Sequence, residues 1–295
     1  NDLVVATFGR GFYILEDYTP LRTATSEMID TTKSHLFPVK EALLYVQTGG
    51  RYGQGSTYYT ADNPEFGAVF TYYLEESPKT TKQERLKEEK KLFKEGEKIP
   101  QPTVDDLREE EKEIAPYLVF TITDEDGNVV RKLYESPSTG IKRVNWNLRY
   151  QGKNPVNLRN NEFNPKSEGS SGMLVMPGEY AVSMALDDDG EITELAGPVL
   201  FEVVPLENTT LPATNREELV AYQNKVAELG RNLGGAQQYL NDLIEKVAHI
   251  RQAIHNTPAA PKSLADRARE AAEELEDIRF TIYGAEAKAS WEEIP

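Results

Sequence analysis

The chain has 295 residues and a formal net charge of −16 at pH 7, and 39% of its residues are hydrophobic. So strong a negative charge disfavours nucleic acid and anionic membranes as partners. No apolar run in it approaches the roughly 18 residues that a membrane-spanning helix needs. Cysteine is absent, which excludes disulfides, thiolate catalysis and cysteine-ligated metals.

The N-terminal residues predict a β-hairpin. Residues 3–8 and 12–15 are rich in β-branched and aromatic side chains, and they flank the sequence Gly9-Arg10-Gly11, which is typical of a tight turn. A two-stranded hairpin is at best marginally stable in water. We therefore expect these strands to complete a sheet whose other strands lie outside the chain, and the chain to be part of a larger protein.

A connector and a β domain are predicted next. Residues 25–60 predict a connector with one short apolar run at 42–46. Residues 61–206 contain short runs of β-branched and aromatic residues separated by turns, which predicts an antiparallel β-sandwich of the immunoglobulin type. The predicted strands are 68–74, 117–122, 129–134, 142–148, 178–186 and 199–204.

A charged segment interrupts the predicted sandwich at residues 77–114. Lysine and glutamate dominate it, and Pro100 and Pro102 lie within it. The mixed signs of charge predict two short solvated helices around a proline break, inserted on the surface of the sandwich. An arm that binds a partner is the alternative.

Beyond Pro205 the hydrophobic pattern changes to alternate steps of three and four residues, which predicts a long helix with a heptad seam. Thr214 and Glu217 have the spacing of a capping box at its start, and Ser263 is the expected cap of a second helix. Together these signals predict an antiparallel, coiled-coil-like helical hairpin over residues 212–295. It would pack on the sandwich, on a third helix or on another copy of the chain. The seam residues are Leu219, Tyr222, Val226, Leu229, Leu233, Ala236, Leu240, Leu243, Val247, Ile250 and Ile254.

Several short motifs occur in an order that resembles the C-terminal part of large bacterial β-propeller proteins. Those proteins carry bacterial-neuraminidase-type (BNR) repeats and a sortilin-like propeller, and they are labelled glycosyl hydrolases. The family commonly has histidine where this chain has Phe8, and tryptophan where it has Tyr13. The motifs are residues 4–17, 19–22, 36–39, 63–68, 144–150 and 176–180.

The resemblance implies that residues 1–24 are the remnant of the last propeller blade, and that residues 61–206 are the immunoglobulin-like domain that often follows it. Trp146 would then be a core residue, and Pro177-Gly178 would be the turn into a late strand. The resemblance also implies export to the periplasm or the cell exterior. The upstream propeller of the same polypeptide would be the main partner.

No set of catalytic or metal-binding residues stands out in the sequence. His35, His249 and His255 lack the spacing of a metal motif. The acidic segments 124–128 and 187–191 are better explained as hairpin turns than as calcium loops, because neither is followed by the glutamate that closes an EF-hand loop. The aspartate-box sequence of sialidase-type propellers does not occur. We therefore assign no catalytic residue, metal or cofactor.

Tyrosines cluster ahead of the first predicted sandwich strand. Exposed aromatic faces stack on sugar rings, so Tyr52, Tyr58 and Tyr59 are the candidate ligand-contacting residues. The alternative is that the aromatic side chains of residues 52–73 fill the core of the sandwich and its rim.

The leading functional hypothesis is a non-catalytic C-terminal structural or accessory region of a large exported β-propeller protein of the glycosyl hydrolase type. One alternative is a carbohydrate-binding module of that hydrolase. Another is a protein-interaction or dimerisation module formed by the helical hairpin.

Overall fold

Sheets and two long C-terminal helices make up the fold, so the chain belongs to the mixed class of β plus α. The computed structural model describes residues 2–47, 64–156, 163–206 and 214–284. None of the helices within these ranges combines the length and the apolar character that a membrane crossing requires.

The chain divides into two compact units. The first consists of Asn1–Gly152 and Glu162–Glu217 and contains β-strands and four short helices. The second consists of Lys153–Asn161 and Glu218–Pro295 and contains nearly all of the two long helices.

The first unit begins with the predicted hairpin, formed by strands β1 (Leu3–Thr7) and β2 (Gly11–Leu15). Two short helices follow, α1 (Thr19–Thr23) and α2 (Ser26–Thr31). The later strands are β3 Ser34–Leu36, β4 Ala42–Leu44, β5 Ala68–Leu74, β6 Tyr117–Asp124, β7 Val129–Glu135, β8 Gly140–Trp146, β9 Arg149–Gln151, β10 Ser171–Leu174, β11 Gly178–Asp188 and β12 Glu191–Pro205.

Most of these strands form two sheets. One has five strands in the order β4-β12-β11-β6-β7, and the other has three in the order β3-β5-β8. The strands predicted between residues 68 and 204 are all present, although β12 begins at Glu191 rather than near residue 199. The connector predicted for residues 25–60 supplies β3 and β4, an edge strand to each sheet. Strands of three residues are too short to show a hydrophobic period, which explains why they were not predicted.

Aromatic rings join the two sheets into one core. Phe70 of β5 meets Phe201 of β12 with ring centroids 5.4 Å apart, and Tyr72 meets Phe120 of β6 at 5.1 Å. Trp146 of β8 is fully buried and lies 6.1 Å from Phe201, which confirms it as a core residue. Other fully buried members of this core are Leu118, Ile122, Leu148, Val182 and Met184.

The two acidic segments form turns between antiparallel strands, as predicted. Asp124 Oδ1 accepts hydrogen bonds from the N–H groups of Asp126 (3.1 Å) and Asn128 (2.8 Å). Asp187 Oδ1 accepts one from the N–H of Gly190 (2.9 Å). These carboxylates therefore bind the backbone of their own turns.

The charged insertion forms two helices, α3 (Thr81–Glu95) and α4 (Val104–Lys112). Thr80 and Thr103 begin them, and each closes a capping box with the third helical residue. Neither helix has a buried residue, which confirms the prediction of two solvated helices.

The second unit contains helices α5 (Arg216–His255) and α6 (Lys262–Tyr283). Two predicted caps are wrong. Because α5 begins at Arg216, Asn215 rather than Thr214 precedes its first turn. The N-cap of α6 is Pro261, so Ser263 is the second residue of the helix rather than its cap.

Helix α6 lies beside only part of α5. Asn241 of α5 and residues 276–284 at the end of α6 line one shallow cavity, so the two helices run antiparallel and α6 ends near Asn241. The 40 residues of α5 span about 60 Å and the 22 residues of α6 about 33 Å. The N-terminal part of α5 therefore extends past the end of α6.

A tyrosine at the edge of the core links two paired strands. Tyr117 of β6 donates a hydrogen bond of 2.8 Å from its hydroxyl to Asp187 Oδ2 of β11. Burial, together with this hydrogen bond and the charge of Asp187, raises the pKa of Tyr117 to about 12. The phenol thus stays protonated at pH values where an unfolded tyrosine ionises, which is near pH 10.

We expect the free energy of unfolding to fall as the pH rises from about 10 to about 12, because the unfolded state releases the Tyr117 proton first. Urea unfolding at about pH 9 and about pH 11 measures this loss. It should be smaller in Tyr117→Phe than in the wild type, whereas the exposed control Tyr239→Phe should follow the wild type. An equal loss in Tyr117→Phe would contradict this prediction.

Candidate interaction site at the N-terminal hairpin

The N-terminal hairpin exposes apolar side chains on both of its faces. Alternate residues of a strand point to opposite faces, and the register pairs Val5 with Tyr13 and Ala6 with Phe12. Phe12 is 78% exposed on one face and Tyr13 is 57% exposed on the other. Every residue of both strands is exposed, so no other described element covers either face.

The edges of the hairpin are also available. It forms a sheet of two strands only. Each strand of such a sheet keeps one row of N–H and C=O groups without a strand partner, and such an edge is a template for pairing with a further strand.

The turn of the hairpin has the conformation that its sequence predicts. Gly9 and Gly11 adopt φ values of 79° and 87°, in the left-handed region that glycine enters without steric cost. Thr7 Oγ1 donates a hydrogen bond of 2.9 Å to the carbonyl of Gly11 and closes the turn. Phe8 is fully exposed beside it.

Arg143 of β8 anchors the base of the hairpin. Its two terminal guanidinium nitrogens donate to the carbonyl oxygens of Glu16 (2.9 Å) and Asp17 (2.6 Å). Asp17 has a positive φ of 41°, and its N–H donates to Asp2 Oδ1 at 3.0 Å. This hydrogen bond lowers the pKa of Asp2. Arg143 thus connects the base of the hairpin to the three-stranded sheet. The hydrogen bond from Asp17 to Asp2 connects the two ends of the hairpin to each other.

A cleft of about 750 Å³ opens beside this anchor. Lys40 and Arg143 supply its positive charges, and Leu43 and Val69 supply apolar surface. Acidic side chains outnumber the basic ones along its wall: Asp2, Glu16, Asp17, Glu41 and Glu65.

One wall of the cleft is held close to β8. Gly67 has a φ of 131°, and a Cβ atom there would overlap the carbonyl group of Trp146, so only glycine fits this close approach. Asn145 Nδ2 donates to the carbonyl of Phe66 at 3.0 Å. The ring of Phe66 meets that of Tyr45 edge-to-face, with centroids 4.9 Å apart.

The candidate sugar-contacting residues lie outside the part of the chain that the structure describes: Tyr52, Tyr58 and Tyr59. Phe70, Tyr72 and Tyr73 of the same tyrosine-rich stretch are buried, as the alternative of a core role predicts. The carbohydrate-binding module therefore stays a prediction.

Sequence reasoning missed Arg143 and Tyr45. Tyr45 lies in the short apolar run at 42–46, which was a usable signal. Arg143 gave none, because its acceptors are main-chain carbonyls more than a hundred residues away in the sequence.

The three histidines lie in different surroundings. His35 lies on β3 with its ring 4.8 Å from that of Phe37, whereas His249 and His255 are exposed on α5. Within the described ranges, no three acidic or histidine side chains come together as a metal site would require.

The hairpin and the cleft at its base are suited to recognition. The hairpin offers two apolar faces and two strand edges, and the cleft offers mostly negative charge beside a small aromatic wall. Such a combination binds a polypeptide by strand addition, with charged groups at the margin that favour one orientation.

We expect Arg143→Ala to loosen the hairpin without unfolding the first unit, because the hydrogen bonds that it removes are exposed. Amide hydrogen exchange in β1 and β2 should accelerate, while the global free energy of unfolding changes by less than about 1 kcal/mol. The matched control is Lys142→Ala, an exposed neighbour on the same strand. Unchanged exchange in the hairpin of Arg143→Ala would show that Arg143 is not its anchor.

No family model, curated protein or solved structure matches this chain.

Proposed function

We propose that this chain is a non-catalytic structural or accessory region of a larger exported β-propeller protein, and that its N-terminal hairpin completes a sheet of the propeller. The observation that carries the proposal is the exposure of both faces of the hairpin. In this proposal the propeller carries any hydrolase activity, and the chain braces it.

Burial of the hairpin in a larger sheet would be strongly favourable. Full burial of one Val, Leu, Ile or Phe side chain contributes about 1.5–3 kcal/mol. An isolated pair of strands has no comparable source of stability. Seven large apolar side chains of the two strands are 40–78% exposed: Leu3, Val4, Val5, Phe12, Tyr13, Ile14 and Leu15.

Two features support an immunoglobulin-like architecture for the sheets of the first unit. Trp146 is fully buried between the sheets, 5.5 Å from the ring of Tyr180. The Tyr180 hydroxyl donates a hydrogen bond of 2.7 Å to the carbonyl of Met176, four residues upstream. A tyrosine that bonds back to the backbone before its own strand occurs at a comparable corner of immunoglobulin-like domains.

Hydrogen exchange tests the proposed role of the hairpin. The amides of β1 and β2 should exchange at least about a hundredfold more slowly in the protein expressed from the complete reading frame than in this chain alone, because sheet pairing protects them. Equal rates in the two proteins would overturn the proposal.

A matched pair of variants adds a second readout. Ile14 on β2 and Ile192 on β12 are each 64% exposed in this chain. In the full-length protein, Ile14→Asp should lower the melting temperature because it places a charge in the proposed interface, and Ile192→Asp should not. Equal effects of the two substitutions would count against docking of the hairpin.

The helical hairpin supports a second candidate function, self-association. The heptad seam of α5 is exposed in its N-terminal part, where α6 no longer lies alongside. The exposed fractions are 42% for Leu219, 66% for Tyr222, 50% for Val226, 68% for Leu229 and 45% for Leu233. These residues follow the spacing of a coiled-coil seam, and the same stripe of a second copy would cover them.

Light scattering over a concentration series tests this candidate. The mass should rise from 33.2 kDa towards twice that value, and Leu229→Lys should weaken association by about tenfold or more, because it places a charge in the seam. Ala221→Lys adds the same charge on another side of α5 and should have no effect. A constant monomer mass would rule out self-association.

A further inference from the structure

The cleft at the base of the hairpin carries negative charge that its own basic side chains leave uncompensated. The Arg143 guanidinium is bonded to main-chain carbonyl oxygens, and Lys40 is the other basic residue on the described part of the wall. Glu16, Glu41 and Glu65 also line the cleft, and within the described ranges none of their carboxylates forms an ion pair or accepts a hydrogen bond. The cleft therefore attracts a cation from outside the chain.

Aromatic and apolar side chains form another part of the wall. The half-buried rings of Tyr45 and Phe66 both line the cleft, and Leu43 beside β12 is 44% exposed there. An aromatic face attracts a cation, and an exposed leucine packs well against the aliphatic part of a long basic side chain. This lining suits a cation with an apolar stem rather than a bare metal ion.

The aromatic wall of the cleft is held in place by the core. Gly67 lies so close to the carbonyl group of Trp146 that a Cβ atom would overlap it, and Asn145 Nδ2 donates to the carbonyl of Phe66. Both partners belong to β8, and Trp146 is fully buried. A ligand therefore loses little affinity to the ordering of this wall. The cleft volume of about 750 Å³ lies in the range of roughly 300–1,000 Å³ that is usual for ligand sites.

We propose that the cleft binds an arginine side chain of the polypeptide that pairs with the hairpin. The guanidinium would form charge-assisted hydrogen bonds with the carboxylates of Glu41 and Glu65. Its planar group would stack on the aromatic wall, as an ammonium group does less well, and its aliphatic part would cover Leu43. The net charge of −16 also favours a cationic group over an anionic one.

The position of the cleft connects it to strand pairing at the hairpin. Asp2 precedes β1 and Glu16 follows β2, and both line the cleft. A strand added at either edge of the hairpin would therefore begin or end beside the cleft. The choice of this polypeptide as the partner rests on the proposed function, whereas binding of the guanidinium does not.

Nuclear magnetic resonance titration of the full chain with N-acetyl-arginine amide tests the proposal. Saturable shifts are expected at the amides of Leu43, Gly67 and Val69, and none at the turn of residues 187–190. Binding should weaken as the salt concentration rises. The citrulline derivative has the same shape without the charge and should not bind, and the lysine derivative should bind more weakly.

A pair of charge-neutralising variants provides the matched control. Glu41→Gln with Glu65→Gln should weaken binding of the arginine derivative by about threefold or more, the loss expected from two exposed ion pairs. Glu191→Gln with Glu194→Gln removes the same charge about 30 Å along β12 from its pairing with β4 and should leave binding unchanged. Tyr45→Leu should also weaken binding by about threefold, and unchanged amide spectra away from the cleft verify that each variant is folded.

Several outcomes would overturn the proposal. They are the absence of saturable shifts at the cleft, equal binding of the arginine and citrulline derivatives, or equal losses from the two glutamate pairs. Equal binding of the lysine derivative would overturn the assignment to arginine. Slow hydrogen exchange of the hairpin in the full-length protein, without arginine binding here, would overturn this inference alone. Arginine binding without that slow exchange would overturn the proposed function and the choice of partner, but not the arginine site.

Discussion

Phe201 is the side chain on which the two sheets meet. It lies within about 6 Å of the rings of Phe70, Trp146 and Tyr180, which come from both sheets. Because Trp146 and Val144 of β8 point into this core, the alternation of a strand turns Arg143 to the opposite face. The packing of one aromatic cluster thereby sets the register that presents the guanidinium to the base of the hairpin.

Burial is distributed very unevenly over this chain. Among the described residues, most buried side chains belong to the two sheets, whereas α5 and α6 contribute only Leu240 and Ala268. Large apolar side chains remain exposed on the hairpin, on the insertion and on the N-terminal part of α5. The hairpin offers strand edges and α5 offers a heptad seam, so these two surfaces are suited to different kinds of partner.

Periodicity in the sequence predicted the long elements well. The strands from Ala68 to Leu74 and from Tyr117 to Asp124 alternate or run as continuous apolar segments, and both insertion helices were predicted around the proline break. Periodicity failed for β3 and β4, which have three residues each. These residues adopt the strand conformation because they pair with β5 and β12, and not because of a local preference. The seam of α5 was predicted as continuous, yet some of its residues are exposed both beyond the end of α6, as at Leu229, and beside α6, as at Ile250, which no local pattern encodes. The role of Arg143 as the anchor of the hairpin could not be predicted either, because it depends on hydrogen bonds to backbone atoms that are distant in the sequence.

The attachment of the hairpin has an evolutionary consequence. Arg143 binds the carbonyl oxygens of Glu16 and Asp17 and not their side chains, so the contact does not depend on which amino acids occupy those positions. What it does require is the path of the main chain, including the left-handed conformation of Asp17, which asparagine and glycine also adopt readily. The hairpin can therefore diverge in sequence to suit a changing partner while its connection to the sheets is preserved.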